Sequence, residues 1–184
     1  MEITRETIRT FTFIAGPLVL ISYAYALSRL DDKMALWGGI PASWTTYIVP
    51  FMLLAAVGWL VYWWIALFQL DVATLEALKW PCQDTSYGAG LNRFFLAYAL
   101  FLIPSSLWID STIFHMNNNY FWTPFLVIGI LAVVSIGNVM FILLAYDGYQ
   151  SGIDGSGWML AGSIALAIQV IVNDLFMWSA KFPW

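Results

Sequence analysis

Five long apolar runs divide this chain, and each is long enough to cross a bilayer as a helix. They cover residues 11–27, 46–68, 93–114, 121–146 and 158–178. Backbone N–H and C=O groups in hydrocarbon must be satisfied within the segment, so runs of this kind fold as helices. The sequence therefore predicts an all-α integral membrane protein, a five-transmembrane-helix bundle occupying residues 1–184 as a single unit. Charge supports this reading: only 10% of residues are Asp, Glu, Lys or Arg, against roughly 25% in a soluble domain.

The last run, WMLAGSIALAIQVIVNDLFMW, constrains the bundle most, because it carries Gln169, Asn173 and Asp174 in its second half. Polar groups at that depth cost several kcal/mol unless they face other protein or a wet cavity. Gln169 and Asn173 are four residues apart and share a face of an α-helix. Gly162 and Ala165/Leu166 continue that face, which is small at one end and polar at the other. A second face of this kind runs through Ala55, Gly58, Trp59, Tyr62 and Ala66 in the second run. Small residues there let another helix approach closely. The rings either pack in that seam or line a groove. In the fourth run, Asn138 needs a partner, and the amides of Gln169 and Asn173 are the expected ones.

The connections carry the remaining signals. Gly16-Pro17 is expected to loosen the first helix, and Pro50 falls in the first turns of the second run, where proline is tolerated. Residues 1–10 read as a short polar lead, and a cleaved signal peptide is set aside because Glu2 and Glu6 dilute its basic region. Residues 28–43 read as a loop with a solvated charge cluster, Arg29, Asp31, Asp32 and Lys33, and turn chemistry at Gly38-Gly39 and Pro41. A short interfacial helix is expected from the spacing of Val72, Leu75 and Leu78, with Gly88 and Gly90 loosening the connection to the third run. Pro104-Ser105-Ser106 should bend the third helix. Asp110 and His115 are expected to be hydrated at one membrane face, and Lys181-Phe182-Pro183-Trp184 to anchor the chain at the surface. Asp147–Gly157 resembles a calcium loop only superficially, because Tyr149, Ser151 and Trp158 stand where an EF-hand needs ligands. An odd number of spans puts the termini on opposite sides. Arg5, Arg9, Lys79 and Arg93 then oppose Arg29, Lys33 and Lys181, so the positive-inside rule points to a cytoplasmic N-terminus.

Several functions are excluded or left without a carrier. A net charge of −4 with no basic run argues against nucleic acid. The single cysteine, Cys82, cannot form an internal disulfide or a thiolate zinc site, and the single histidine, His115, rules out bis-histidine haem ligation within one chain. No mid-span lysine, arginine row, TVGYG filter, GxSxG or HExxH is present. Asp110, His115, Asp147 and Asp174 show no catalytic spacing, so no catalytic residue, metal ligand or cofactor is assigned. What remains is an aromatic-rich bundle with eleven Trp, nine Tyr and thirteen Phe. Rings give rigid apolar area, and a few amides orient a flat ligand.

Three stretches carry a family likeness: Pro41-Ala42-Ser43-Trp44-Thr45 before the second run, Trp108 through Phe114, and Asn173 through Trp178. In these, and in its five-run layout, the chain resembles the tryptophan-rich TspO/translocator family. That family's P-x-W-x-P-P is matched without its last two prolines, which are Thr46 and Tyr47 here, and the other two spacings differ by about one residue. The resemblance implies a five-helix membrane bundle that binds porphyrins and sterol-like molecules. The expected function is thus binding or trafficking of a planar hydrophobic small molecule, with Trp59, Tyr62, Asn138, Gln169 and Asn173 as the candidate ligand-binding residues. Expected partners are membrane lipids and that ligand. A structural subunit of a larger membrane complex, or a homodimer, is the alternative; a lipid-modifying enzyme is a third, weaker one. Inward convergence of the five residues on a cavity favours binding, and an outward flat patch favours a complex subunit.

Overall fold

The computed structural model describes residues 3–80 and 90–184. Cys82 and Gly88 lie outside the described residues. Among the described residues seven helices follow in order: α1 Arg5–Ser28, α2 Ala42–Gln69, α3 Val72–Ala77, α4 Gly90–Ser105, α5 Trp108–Asn118, α6 Thr123–Gln150 and α7 Ser156–Lys181. A short 3-10 helix, Lys33–Trp37, lies between α1 and α2. Taking α4 and α5 as one broken helix, five are long and apolar enough to cross a membrane. No strand occurs among the described residues.

Each helix begins and ends where local chemistry allows. α1 starts at Arg5, because the Thr4 hydroxyl accepts from the Thr7 amide at 3.1 Å and caps the first turn. The polar lead expected over residues 1–10 is therefore mostly helix. Its arginines hold the structure together: Arg5 donates to the Leu70 carbonyl at 3.0 Å and Arg9 to the Leu67 carbonyl at 2.8 Å. Both satisfy main-chain oxygens left over at the end of α2, where a cation is also favoured by the helix dipole. α2 starts at Ala42, earlier than the apolar run, so Pro50 falls inside the helix rather than in its first turns. α3 forms where expected, capped by Asp71, whose carboxylate accepts from the Thr74 amide at 2.7 Å. That backbone bond, with the Thr74 hydroxyl, holds the Asp71 carboxyl below the usual carboxylate range. The bend at Pro104 separates α4 from α5, as the Pro-Ser-Ser signal suggests.

Two glycines set how closely the helices meet. α2 and α7 cross backbone to backbone: a Cβ on Gly58 would stand 2.5 Å from the Gly162 carbonyl oxygen, and one on Gly162 would stand 2.4 Å from that of Gly58. Both are small residues on the faces that the sequence marks for close approach. Gly90 differs from expectation. It opens α4, donates its amide to Glu76 at 3.0 Å and lies so close to the Leu75 carbonyl that any side chain would collide.

Long-range bonds fix the up-and-down arrangement. Arg5 with Leu70, Arg93 with Leu78 and Lys79 with Asp147 tie together the end that holds the N-terminus. Arg29 with Asp110, His115 with Thr123 and Gly39 with Lys181 tie together the other end, which holds the C-terminus. Around the bundle α1 touches α4, α4 touches α6, α6 touches α7 and α7 touches α2. α1 meets α2 mainly near its own N-terminal half, through Thr12 with Trp63 and Phe13 with Trp63.

The C-terminal end departs from expectation. His115 is not a hydrated interfacial residue: it is buried, with Nδ1 2.7 Å from the Thr123 hydroxyl and its ring against Trp184 and Phe182. Phe182 is buried against Gly38, and the Gly39 amide donates to the Lys181 carbonyl at 2.9 Å, so the C-terminal residues fold back on the bundle instead of serving only as an anchor. Asp110 is half-exposed and forms an ion pair with Arg29.

The glycine crossing carries a direct expectation. Gly58→Leu should lower stability by about 2–3 kcal/mol through overpacking against a main-chain oxygen, seen as a reduced thermal midpoint in detergent. Gly129→Ala, inside α6 where a Cβ meets nothing within 4 Å, should not lower the midpoint and should raise it slightly, since alanine favours the helix over glycine.

Candidate functional site: a cavity in the C-terminal half of the bundle

From the Gly58–Gly162 crossing toward the C-terminal end, α2 and α7 diverge. The space between them is a cavity of about 430 Å³, within the ~300–1,000 Å³ range of small-molecule sites. Val19 and Tyr23 of α1, Ile48, Met52 and Ala55 of α2, and Leu131 and Val134 of α6 form its walls. Trp108 of α5 and Trp37 of the 3-10 helix add rings. Lys33 reaches it from the loop end, where it is exposed. Most of this lining is apolar.

The polar wall is α7. From Ile168 to Trp178 the helix is π-helical. In that geometry residues five apart stack, whereas an α-helix stacks residues four apart. Gln169 Nε2 donates to Asp174 Oδ1 at 2.8 Å, and Asn173 Nδ2 donates to Gln169 Oε1 at 3.0 Å. One glutamine thus ties both neighbours into a chain, and all three line the cavity. π-helical turns recur at functional sites because the wider turn places side chains an α-helix would separate. Trp178 closes the wall, its indole N–H donating to the Leu36 carbonyl at 2.7 Å. This bond pins the 3-10 helix over the cavity.

The other three candidate residues stand elsewhere. One turn deeper than Ala55, Phe101 and Val134 come Trp59, Tyr98 and Asn138, below the cavity rather than in its lining. Tyr62 lies deeper still, in a ring cluster with Tyr98 and Phe141 at centroid distances of 6.5 and 4.8 Å. Asn138 is fully buried and bonds to α7, as the sequence suggests, but its Nδ2 reaches the Ser163 carbonyl at 3.1 Å instead of either expected amide. Gln169 and Asn173 are already committed to each other and to Asp174. All five residues point inward or pack on the core, yet only Gln169 and Asn173 meet at the cavity.

Sequence reasoning passes over Tyr23, Trp37 and Trp178 as cavity residues. Of the stretches that carry the family likeness, Trp108, Asn173, Asp174 and Trp178 line the cavity, while Pro41 and Trp44 do not. The Trp108 indole N–H is buried beside the cavity without a hydrogen-bond partner. An unpaired donor there favours a ligand that offers an acceptor. Among the described residues no group of three His, Cys, Asp or Glu side chains could hold a metal ion. No family model, curated protein or solved structure matches the chain.

The two amide sites differ in what substitution strands. Gln169→Leu removes a donor to Asp174 and an acceptor from Asn173 together, so it should cost about 1–3 kcal/mol in thermal unfolding. Asn138→Leu loses one bond to a main-chain carbonyl and also removes a buried oxygen that has no partner. Its expected cost is under about 1 kcal/mol.

Proposed function

We propose that this chain is a multi-pass membrane protein that binds or carries a planar hydrophobic small molecule in the cavity between α1, α2, α5, α6 and α7. The single observation that supports the reading most is an apolar, ring-lined space of about 430 Å³ with one polar wall, Gln169–Asn173–Asp174. Such a space rewards burial of a flat apolar body, and the wall fixes the orientation of one polar edge. The likeness to the TspO/translocator proteins points in the same direction, toward tetrapyrroles and sterol-like molecules. Membrane lipids are the surrounding partners, and the N-terminus faces the cytoplasm. Of the five candidate residues Gln169 and Asn173 meet at the cavity, and that pair supports binding over the complex-subunit reading.

Titration with protoporphyrin and with a sterol tests this, read as quenching or displacement at the cavity tryptophans. Binding at micromolar concentration is expected for at least one of the two. Trp108→Ala should weaken it by about tenfold, equivalent to about 1.4 kcal/mol of lost contact. Trp64→Ala should leave it unchanged, since Trp64 is exposed and stacks on Phe68 away from the cavity. Failure of both probes, with the protein purifying only alongside partner subunits, would overturn the reading in favour of a complex subunit.

A further inference from the structure

The polar wall has a charge character that narrows the ligand class, on the footing that the cavity is a binding site. Asp174 lines the cavity, and its carboxylate is held by the neutral amide of Gln169 at 2.8 Å. Ion pairs among the described residues join Arg9 to Glu6 and Arg29 to Asp110, and neither reaches Asp174. A carboxylate in apolar surroundings without a counter-charge is costly, by several kcal/mol even after relaxation. Four aromatic side chains, Tyr23, Trp37, Trp108 and Trp178, line the same cavity. The ring centroids of Tyr23 and Trp108 are 6.1 Å apart and those of Trp108 and Trp178 are 5.5 Å apart, both pairs edge-to-face. The rings therefore wall the space from different angles, and Trp37 adds a fourth. Several aromatic rings beside one carboxylate form the combination that recognises an organic ammonium: the anion supplies the counter-charge and the ring faces supply cation–π attraction.

We infer that the cavity is selective for flat hydrophobic amines, whose protonated nitrogen lies between Asp174 and the rings of Tyr23, Trp108 and Trp178. The other charges at this end are compatible with that selectivity. Lys33 reaches the cavity from the loop end and follows Asp31 and Asp32 in sequence, all three exposed; Arg29 is committed to Asp110; Lys181 stands at the end of α7 and is exposed. His115 is bonded to Thr123. Four aspartates, Asp31, Asp32, Asp110 and Asp174, thus outnumber three cations, Arg29, Lys33 and Lys181, at this end, and of these seven two line the cavity, Asp174 within it and Lys33 from the loop end.

Three probes of one shape test the inference: 9-(aminomethyl)anthracene, 9-(hydroxymethyl)anthracene and 9-anthracenecarboxylate. Binding is read as tryptophan-to-anthracene energy transfer, with the protein in nanodiscs of zwitterionic lipid and empty nanodiscs as the baseline. The amine should bind at least about tenfold more tightly than the alcohol, and the carboxylate least. Asp174→Asn keeps the acceptor for Gln169 and should bring the amine to the affinity of the alcohol measured in the same variant, with a thermal midpoint no lower than that of the unsubstituted protein as the check on folding. Equal binding of amine and alcohol in the unsubstituted protein, or an amine preference that survives Asp174→Asn, would overturn the inference and leave the cavity reading intact. Failure of all three probes would overturn both.

Discussion

The contact on which the rest of the bundle depends is the backbone crossing of Gly58 and Gly162. Between helices in lipid there is no hydrophobic force to gain, so close packing and a few polar bonds must hold them. Two facing glycines let α2 and α7 approach until main-chain atoms touch. Next to the crossing, Asn138 of α6 reaches the Ser163 carbonyl and fastens a third helix to the same point. On the N-terminal side the space fills with rings and leucines: Tyr62, Phe94, Tyr98, Phe141, Leu67 and Leu144 are all buried. On the C-terminal side the two helices separate, and the cavity occupies the gap.

That geometry explains why one half of the bundle is a core and the other a site. Toward the N-terminal end, Arg5 and Arg9 hold α1 against the end of α2. Past Gly16, α1 contributes Val19 and Tyr23 to the cavity wall instead of packing against α2. The 3-10 helix, held by Trp178, and the returning C-terminal residues over His115 then close the end of the bundle. An opening remains where Lys33 is exposed.

The helical architecture is legible in the sequence because apolar run length and charge depletion are strong signals, and Gly58, Gly162 and the α7 amides stand out as anomalies within those runs. The detailed site is less legible, for identifiable reasons. Reading α7 as an α-helix pairs Gln169 with Asn173 and leaves Asp174 to one side. The π-helical turn adds one residue per turn and brings Asp174 onto Gln169, and no residue in IQVIVNDLFMW announces it. Trp59 and Tyr62 share a face with Ala55, but that face descends below the cavity, a matter of depth that periodicity does not encode. His115 reads as interfacial because its burial comes from Thr123 in the next apolar run and from Phe182 and Trp184 beyond the last one. Gly90 reads as a loosening residue when its bare Cα is what lets α4 meet Leu75.

Divergence beyond the glycine crossing leaves a largely apolar cavity beside Ala55, toward the C-terminal end, while Ala66 on the other side of the crossing is packed into the core. Cysteine accessibility measures this most directly. In a Cys82→Ser background, Ala55→Cys and Ala66→Cys place a thiol at two buried alanines of the same helix, 4% and 0% exposed, of which only Ala55 lines the cavity. A small methanethiosulfonate reagent should label the first readily and the second hardly at all. Equal protection of both positions, or equal labelling, would contradict the account.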